Sequence, residues 1–348
     1  MEPFQVHFLG CGAAQPTTIH RPASQVVNFR NKLFMIDCGE GTQLQFKKSH
    51  LKASRLNQIF ISHLHADHCI GLVGMLATQN LMNRTAQVHI YSPAGLERLM
   101  RPQLDFFCSP SSFEVIFHEF STKESAVIYE DRSLRVTTIP LKHRMPVCGF
   151  RFDELSISRH INPQMCAFHD VPRYYYSRLR NGEDYETPEG KIIPVEQLTT
   201  DSRKARSYAY VSDTSYLPKI VPLIMGVDVL YHESTFSDEF KIRAQKVYHS
   251  TARQAANIAR NAKVGLLVLG HYSARHHNKE EVLLNEAREE FQNTILGWEN
   301  SYVDIAKKTM LFTFKQKQIE TTPSELLSKL EPPKSYTNSV NDNEPDNS

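Results

Sequence analysis

At 348 residues with 41% hydrophobic content, the chain is long enough to bury one large core, and nothing divides it into equal halves. A formal net charge of +2 excludes a globally basic polyanion binder, so any attraction for nucleic acid has to come from a local patch. No apolar run approaches the ~20 residues that span a bilayer, and the six cysteines (11, 38, 69, 108, 148, 166) form no C-x-x-C pair, which points to free thiols in a reducing interior.

The first predicted element is a strand over Phe4–Leu9, which leaves no room for a transit peptide and implies a cytoplasmic protein. Glycines at 10, 12, 39 and 41 mark turns where the backbone can come close to a partner. Gln58-Ile59-Phe60-Ile61-Ser62 is a short β-branched and aromatic run, read as a strand, and it leads into His63-Leu64-His65-Ala66-Asp67-His68. That loop presents His63 and His65 on one side of an extended chain, with Asp67 and His68 in the following turn. Such a set can serve two metal ions. Two divalent ions a few ångström apart clamp and activate a water, which suits hydrolysis of phosphate esters or acyl bonds. Imidazole with carboxylate favours zinc.

Three later strand-like runs each end on a further candidate ligand. Leu134–Leu141 alternates polar and apolar residues and is followed by His143. Tyr208–Val211 runs into Asp213, and Val264–Leu269, a buried-strand pattern, ends in Gly270-His271. Between the last two lie His232-Glu233-Ser234-Thr235 and His249-Ser250-Thr251. The latter precedes Ala252–Ala262, an Ala-rich helix whose first turn Ser250 or Thr251 can cap. A His at that helix start can point into a cleft while Glu233 orients it through its other ring nitrogen.

HxHxDH after a strand, with a distant His, Asp and His at strand ends, resembles the metallo-β-lactamase superfamily. The fold this implies is an α/β αββα sandwich with the metals at one edge. The Phe8–Thr17, Asp37–Gln43, His232–Thr235, His249–Thr251 and Gly270–Arg275 segments, in that order from about residue 4 to residue 314, narrow the likeness to the short form of the ribonuclease Z family. That resemblance implies two Zn²⁺ per chain. His63, His65 and His143 would hold one ion, Asp67, His68 and His271 the other, and Asp213 would bridge. It also implies an endonuclease that removes the 3′ trailer from precursor tRNA as a homodimer, leaving a 3′-hydroxyl and a 5′-phosphate. Asp67 would accept a proton, and His249 with Glu233 would assist the departing 3′-oxygen. The alternative is a hydrolase of small phosphodiesters or cyclic nucleotides on the same metals.

The family carries a protruding arm between the His143 and Asp213 strands, and residues 151–207 occupy that place. The segment balances nine Lys or Arg against nine Asp or Glu, so it is not basic as a whole. Within it Arg173-Tyr174-Tyr175-Tyr176-Ser177-Arg178-Leu179-Arg180 has three Arg, three Tyr and no acid. Arg173, Tyr174, Arg178 and Arg180 are therefore the candidate RNA contacts. The catalytic domain is expected to span residues 1–320. From 321 to 348 the Pro-, Ser-, Asn- and Asp-rich sequence cannot offset its ordering entropy by burial and is expected to be disordered.

Overall fold

A computed structural model describes residues 2–155, 159–200 and 204–314, together with a backbone strand at 317–320. The tail expected from residue 321 lies outside the described residues. Six strands open the chain: β1 (Phe4–Gly10), β2 (Ser24–Phe29), β3 (Lys32–Ile36), β4 (Leu56–Phe60), β5 (Val88–Pro93) and β6 (Val115–Phe120). A second sheet then starts with β7 (Val127–Glu130), β8 (Leu134–Pro140) and β9 (Cys148–Glu154). An excursion follows with two short pairs, β10 (His160–Ile161) with β13 (Thr199–Thr200), and β11 (Tyr185–Glu186) with β12 (Ile192–Ile193). The chain returns through β14 (Ser207–Val211), β15 (Val229–Glu233), β16 (Leu266–Gly270) and β17 (Thr294–Leu296). It closes with β18 (Ser301–Asp304), β19 (Thr309–Phe314) and β20 (Lys317–Glu320).

The first sheet runs β20-β19-β18-β1-β2-β3-β4-β5-β6 and the second β17-β16-β15-β14-β9-β8-β7. Strands β3 to β6 pair in parallel, as do β14 to β17, while the remaining neighbours are antiparallel. Side chains alternate between the two faces with the strand period of two. Phe34 and Ile36 point to the layer between the sheets with Phe60, Phe150, Phe152 and Tyr210. Their neighbours Leu33 and Met35 pack with Ile59, Ile61, Leu72 and Met75 under the helix at Leu72–Leu81. On the other side the helices Ala252–Asn261 and Glu280–Glu290 place Ala255, Ala259, Leu283 and Ala287 against the second sheet. Two sheets between helical layers make the αββα sandwich that the motif implied.

Burial on both faces explains why β16 reads as an unbroken apolar run rather than an alternating one. It also leaves parallel strands ending at one edge, where loops rather than ladder partners receive the chain. The excursion has its own core of Cys166, Val171, Leu179, Tyr185, Ile193, Val195 and Leu198. Its expected span of 151–207 is trimmed by the structure. Arg151 to Glu154 complete β9, and Ser207 opens β14, both within the second sheet. All six cysteines are free and buried, as their spacing suggested. Among the described residues no helix is long and apolar enough to cross a membrane.

Candidate metal centre

The loop after β4 leaves the sheet one residue at a time. Ile61 still donates its N–H to Tyr91, and the Ser62 N–H donates instead to the Asp37 carboxylate at 2.7 Å. His63 follows, fully buried, and His65 stands at the N-cap of the one-turn helix Ala66–Cys69 that carries Asp67 and His68. His143 lies in the loop after β8, Asp213 two residues past β14, and His271 next to the end of β16. All seven residues converge. His63, His65, His143 and Asp213 form one group, and Asp67, His68 and His271 a second, with ligand-capable atoms in each group within 4.8 Å of one another.

Asp213 faces both groups with different oxygens. Its Oδ1 lies 3.9 Å from His63 Nε2, whereas Oδ2 lies 3.1 Å from His68 Nε2 and 3.2 Å from His271 Nε2. Those last two nitrogens are buried, yet neither makes a hydrogen bond to any protein atom. Two orphaned imidazole nitrogens around one carboxylate, and a contact of 2.9 Å between His63 Nε2 and His65 Nδ1, are the arrangement of lone pairs that share a cation. The donor set fits metal ions.

The far side of each ring is held. Asp37, fully buried, accepts from Tyr210 OH at 2.7 Å and Ser62 Oγ at 2.8 Å and lies 2.7 Å from His68 Nδ1. His143 Nδ1 meets the Tyr248 carbonyl at 3.0 Å, and His271 Nδ1 meets Thr235 Oγ1 at 3.0 Å. These contacts select which ring nitrogen is left for a metal. Charge is distributed accordingly. Burial lowers His63, His143 and His271, which keeps them neutral with lone pairs free. Burial would lower His68 too, but Asp213 and Asp37 hold it well above the usual imidazole range. Asp213, which burial alone would raise, is held well below the carboxylate range by His271, His68 and His63.

Backbone strain gathers at this edge. Asp37, Asp213, Tyr248 and His271 have φ of 56°, 50°, 64° and 58°, and Ala14 has 57°. Left-handed backbone at a non-glycine residue costs on the order of 1–2 kcal/mol. It persists here because each residue is fixed by strand ends and hydrogen bonds.

Glu233 and His249 meet at the same edge. Glu233, the last residue of β15, is completely buried and accepts from Thr214 N at 2.6 Å, Ser250 N at 3.1 Å and Thr235 Oγ1 at 2.5 Å. His249 Nδ1 lies 3.0 Å from it. Burial pulls His249 down, but the Glu233 carboxylate outweighs it and raises the imidazole to about 9. The capping residue of the next helix is Thr251, in a reciprocal box with Gln254, and it holds the preceding His249-Ser250 in place. A cavity of about 450 Å³ opens over the cluster, lined by His65, Asp67, His143, Asp213, His249 and His271 among others.

Several supporting groups escaped the sequence reading. Asp37 lay inside a motif recognised for its glycines; a lone acid at a strand end, awaiting a histidine ligand, was the available signal. The Tyr248 carbonyl and Thr235 left no such mark. Nor did the Ala14 N–H, which donates to Asp67 Oδ2 at 2.9 Å. The loop bearing Ala14 is bracketed by Glu299, which accepts from Cys11 N at 3.0 Å and Arg21 N at 2.9 Å and pairs with His20 Nδ1 at 2.9 Å. His20 Nε2 reaches Glu280 at 3.2 Å. In the arm, Arg173, Tyr174 and Arg180 are exposed. Arg178 is engaged, paired with Glu183 at 2.7 Å and placed over the Tyr175 ring. Tyr175 and Tyr176 pack against the arm core, so the tyrosine run divides between support and surface.

The geometry has counterparts. A family profile described as anti-Pycsar protein Apyc1 matches residues 4–157. Among solved structures, human tRNase Z, short form, superposes with a TM-score of 0.64 at 26% identity, covering 86% of this chain and 99% of that one. The metallo-β-lactamase fold protein YhfI from Bacillus subtilis gives 0.60 at 16% identity, covering 86% and 98%, a likeness of fold. The ribonuclease Z of Porphyromonas gingivalis is 47% identical over 305 residues, 88% of this chain and 100% of that protein. The ribonuclease Z of Bacteroides thetaiotaomicron is 55% identical over 309 residues, 89% of this chain and 98% of that protein. With a relative this similar along nearly its whole length, the chain belongs to the ribonuclease Z family.

Proposed function

We propose that this ribonuclease Z hydrolyses the phosphodiester at the 3′ end of precursor tRNA, leaving a 3′-hydroxyl on the tRNA and a 5′-phosphate on the trailer. The observation that carries the reading is Asp213, whose two oxygens face two ligand groups beneath the cavity that His249, backed by Glu233, also lines. His63, His65 and His143 hold one Zn²⁺, Asp67, His68 and His271 a second, and Asp213 serves both. Ions so held lower the pKa of water toward neutrality and offset charge on the phosphoryl oxygens.

The chain's own groups do the rest. Asp67 accepts the proton of the attacking water through one oxygen, while the Ala14 N–H orients its other oxygen. Glu233 binds His249 through Nδ1, which leaves Nε2 to donate a proton to the departing 3′-oxygen. The arm between β9 and β14 grips the tRNA away from the cut through Arg173, Tyr174 and Arg180, with Arg178 as a brace. The catalytic domain spans residues 1–320, the protein works in the cytoplasm, and a second copy of the chain completes a homodimer. The test is purified protein with precursor tRNA carrying a labelled trailer. Release of an intact trailer, abolished by chelator and restored by zinc, supports the assignment. Cleavage elsewhere in the tRNA, or cleavage indifferent to chelator, would overturn it.

A further inference from the structure

Two arginines at the cavity have no part in the roles described so far. Arg144 follows His143 directly, and Arg243 lies on the helix Lys241–Val247, one turn before Val247 on the same face. Both line the cavity and both are exposed. Several guanidinium groups elsewhere in the catalytic domain are taken up by acids: Arg206 by Glu154, Arg253 by Glu289 and Glu290, Arg260 by Glu290. Among the described residues Arg144 and Arg243 have no such partner.

Their position is electrostatically odd. A cavity built on imidazoles that hold divalent ions is already cationic, and two further unpaired cations at its wall repel that charge. The arrangement is favourable once a polyanion enters and replaces the missing carboxylates. The two arginines are also placed together by one junction. His143 rests on the Tyr248 carbonyl at 3.0 Å, its ring lies 5.0 Å from that of His249, and the Arg243 helix runs straight into Tyr248. Arg243 is therefore carried by the helix that leads into His249, and Arg144 by the loop whose His143 packs against it.

We infer that Arg144 and Arg243 are substrate-binding residues that hold backbone phosphates of the RNA on the tRNA side of the scissile bond, beside the leaving 3′-oxygen. The inference rests on the tRNA reading for which side is which, because His249 faces the leaving oxygen. Phosphate binding itself needs only the unpaired guanidinium groups. Arginine suits the task through its fork of donors, which matches two phosphate oxygens at once.

The experiment uses the full-length, zinc-loaded protein. Fluorescence anisotropy gives the salt dependence of binding to a short single-stranded RNA, and kinetics on precursor tRNA give KM and kcat. Arg144→Gln and Arg243→Gln should each flatten the slope of log K against log salt by about 0.7 and together by about 1.4, since each lost phosphate contact releases fewer counterions. KM for precursor tRNA should rise more than kcat falls, and Arg→Lys should recover the slope. Arg132→Gln, an exposed arginine in the turn between β7 and β8, should behave as the parent. A neutral methylphosphonate on the tRNA side of the cut should weaken the parent protein and add nothing in the double variant. A parent-like slope and KM in both Gln variants would overturn the clamp, and so would non-additivity with a trailer-side methylphosphonate instead. A parent protein that leaves precursor tRNA uncut, while the two Gln variants show the predicted flattening of the slope, would refute the tRNA reading and support the phosphate contacts.

Discussion

The metal edge and the arm solve opposite problems with different residue types. At the edge, His63, His68, Asp37 and Glu233 are completely buried, and apart from the unpartnered His68 Nε2 their polar atoms are held by backbone or side-chain neighbours. In the arm the polar and aromatic residues that face outward stand on a core of only seven buried side chains, and Tyr174 is 82% exposed. Position at the edge is set by long-range packing and tolerates strain. Position in the arm is set by local turns, caps such as Asn162 and surface ion pairs such as Arg178–Glu183. Chemistry that moves a proton needs the first kind of precision, whereas gripping a large polyanion is served by the second. Damage to the edge should therefore appear in metal content and turnover, and damage to the arm in KM and salt dependence.

The largest effect belongs to Asp213→Ala. Both groups lose a shared carboxylate, so turnover should drop beyond the roughly 10⁴-fold limit for loss of one proton-transfer group. Elemental analysis should find both ions depleted, and full occupancy would remove the bridging role. His249→Ala should cost roughly 10²–10⁴-fold in turnover on precursor tRNA while retaining metal and tRNA affinity. A nitrophenyl phosphodiester, whose leaving group needs no proton, should suffer less; equal losses would make His249 structural. Asp37→Asn sharpens the contrast. It weakens the brace on His68, and metal affinity should fall about 10–100-fold with the fold intact. Competition with a chromogenic chelator checks this, and parent-like affinity would show that the brace is dispensable.

Deletion of residues 161–195 should leave metal content unchanged and raise KM for precursor tRNA by about tenfold or more, with kcat much less affected. Replacing Arg173, Arg178 and Arg180 with Gln should act in the same direction and flatten the salt slope. Arg178 should contribute least, because Glu183 already holds it. An unchanged KM in both variants would deny the arm its role and leave the function resting on the edge alone.

The smallest effect on activity, and one on stability, comes from the bracket behind the Ala14 loop. Burial would lower His20, but Glu299 and Glu280 raise it from 6.5 to about 9. A group raised on folding adds stability in full below its unfolded pKa and loses it as pH climbs through the folded one. The protein should thus lose about 3 kcal/mol between roughly pH 6.5 and 9. His20→Gln should flatten that part of the profile. Thermal melts across the range check it, and identical profiles would show that the pair carries no net stability.

The metal ligands were legible because four of them crowd one loop, His63-Leu64-His65-Ala66-Asp67-His68, and the other three each end a strand-like run. A cap at Ser250 or Thr251 was legible for the same reason, since a cap lies next to the helix it starts, and the structure selects Thr251. The arm was legible as an insertion but not in its limits, because Arg151–Glu154 alternate equally well as strand or as excursion until β14 pairs with them. Local spacing by itself therefore picked out the candidate metal ligands and the ends of the strands, and the family resemblance pointed to where an arm is inserted. Tertiary structure alone decided that Asp37 supports His68, that Tyr248 turns its carbonyl to His143, and that Asp213 divides its oxygens between two groups. Those contacts join residues 31, 105 and more positions apart. They follow from the register of Tyr210 against Tyr231 and of Tyr231 against Val268, which depends on burial across both sheets and leaves no trace in any short stretch of chain.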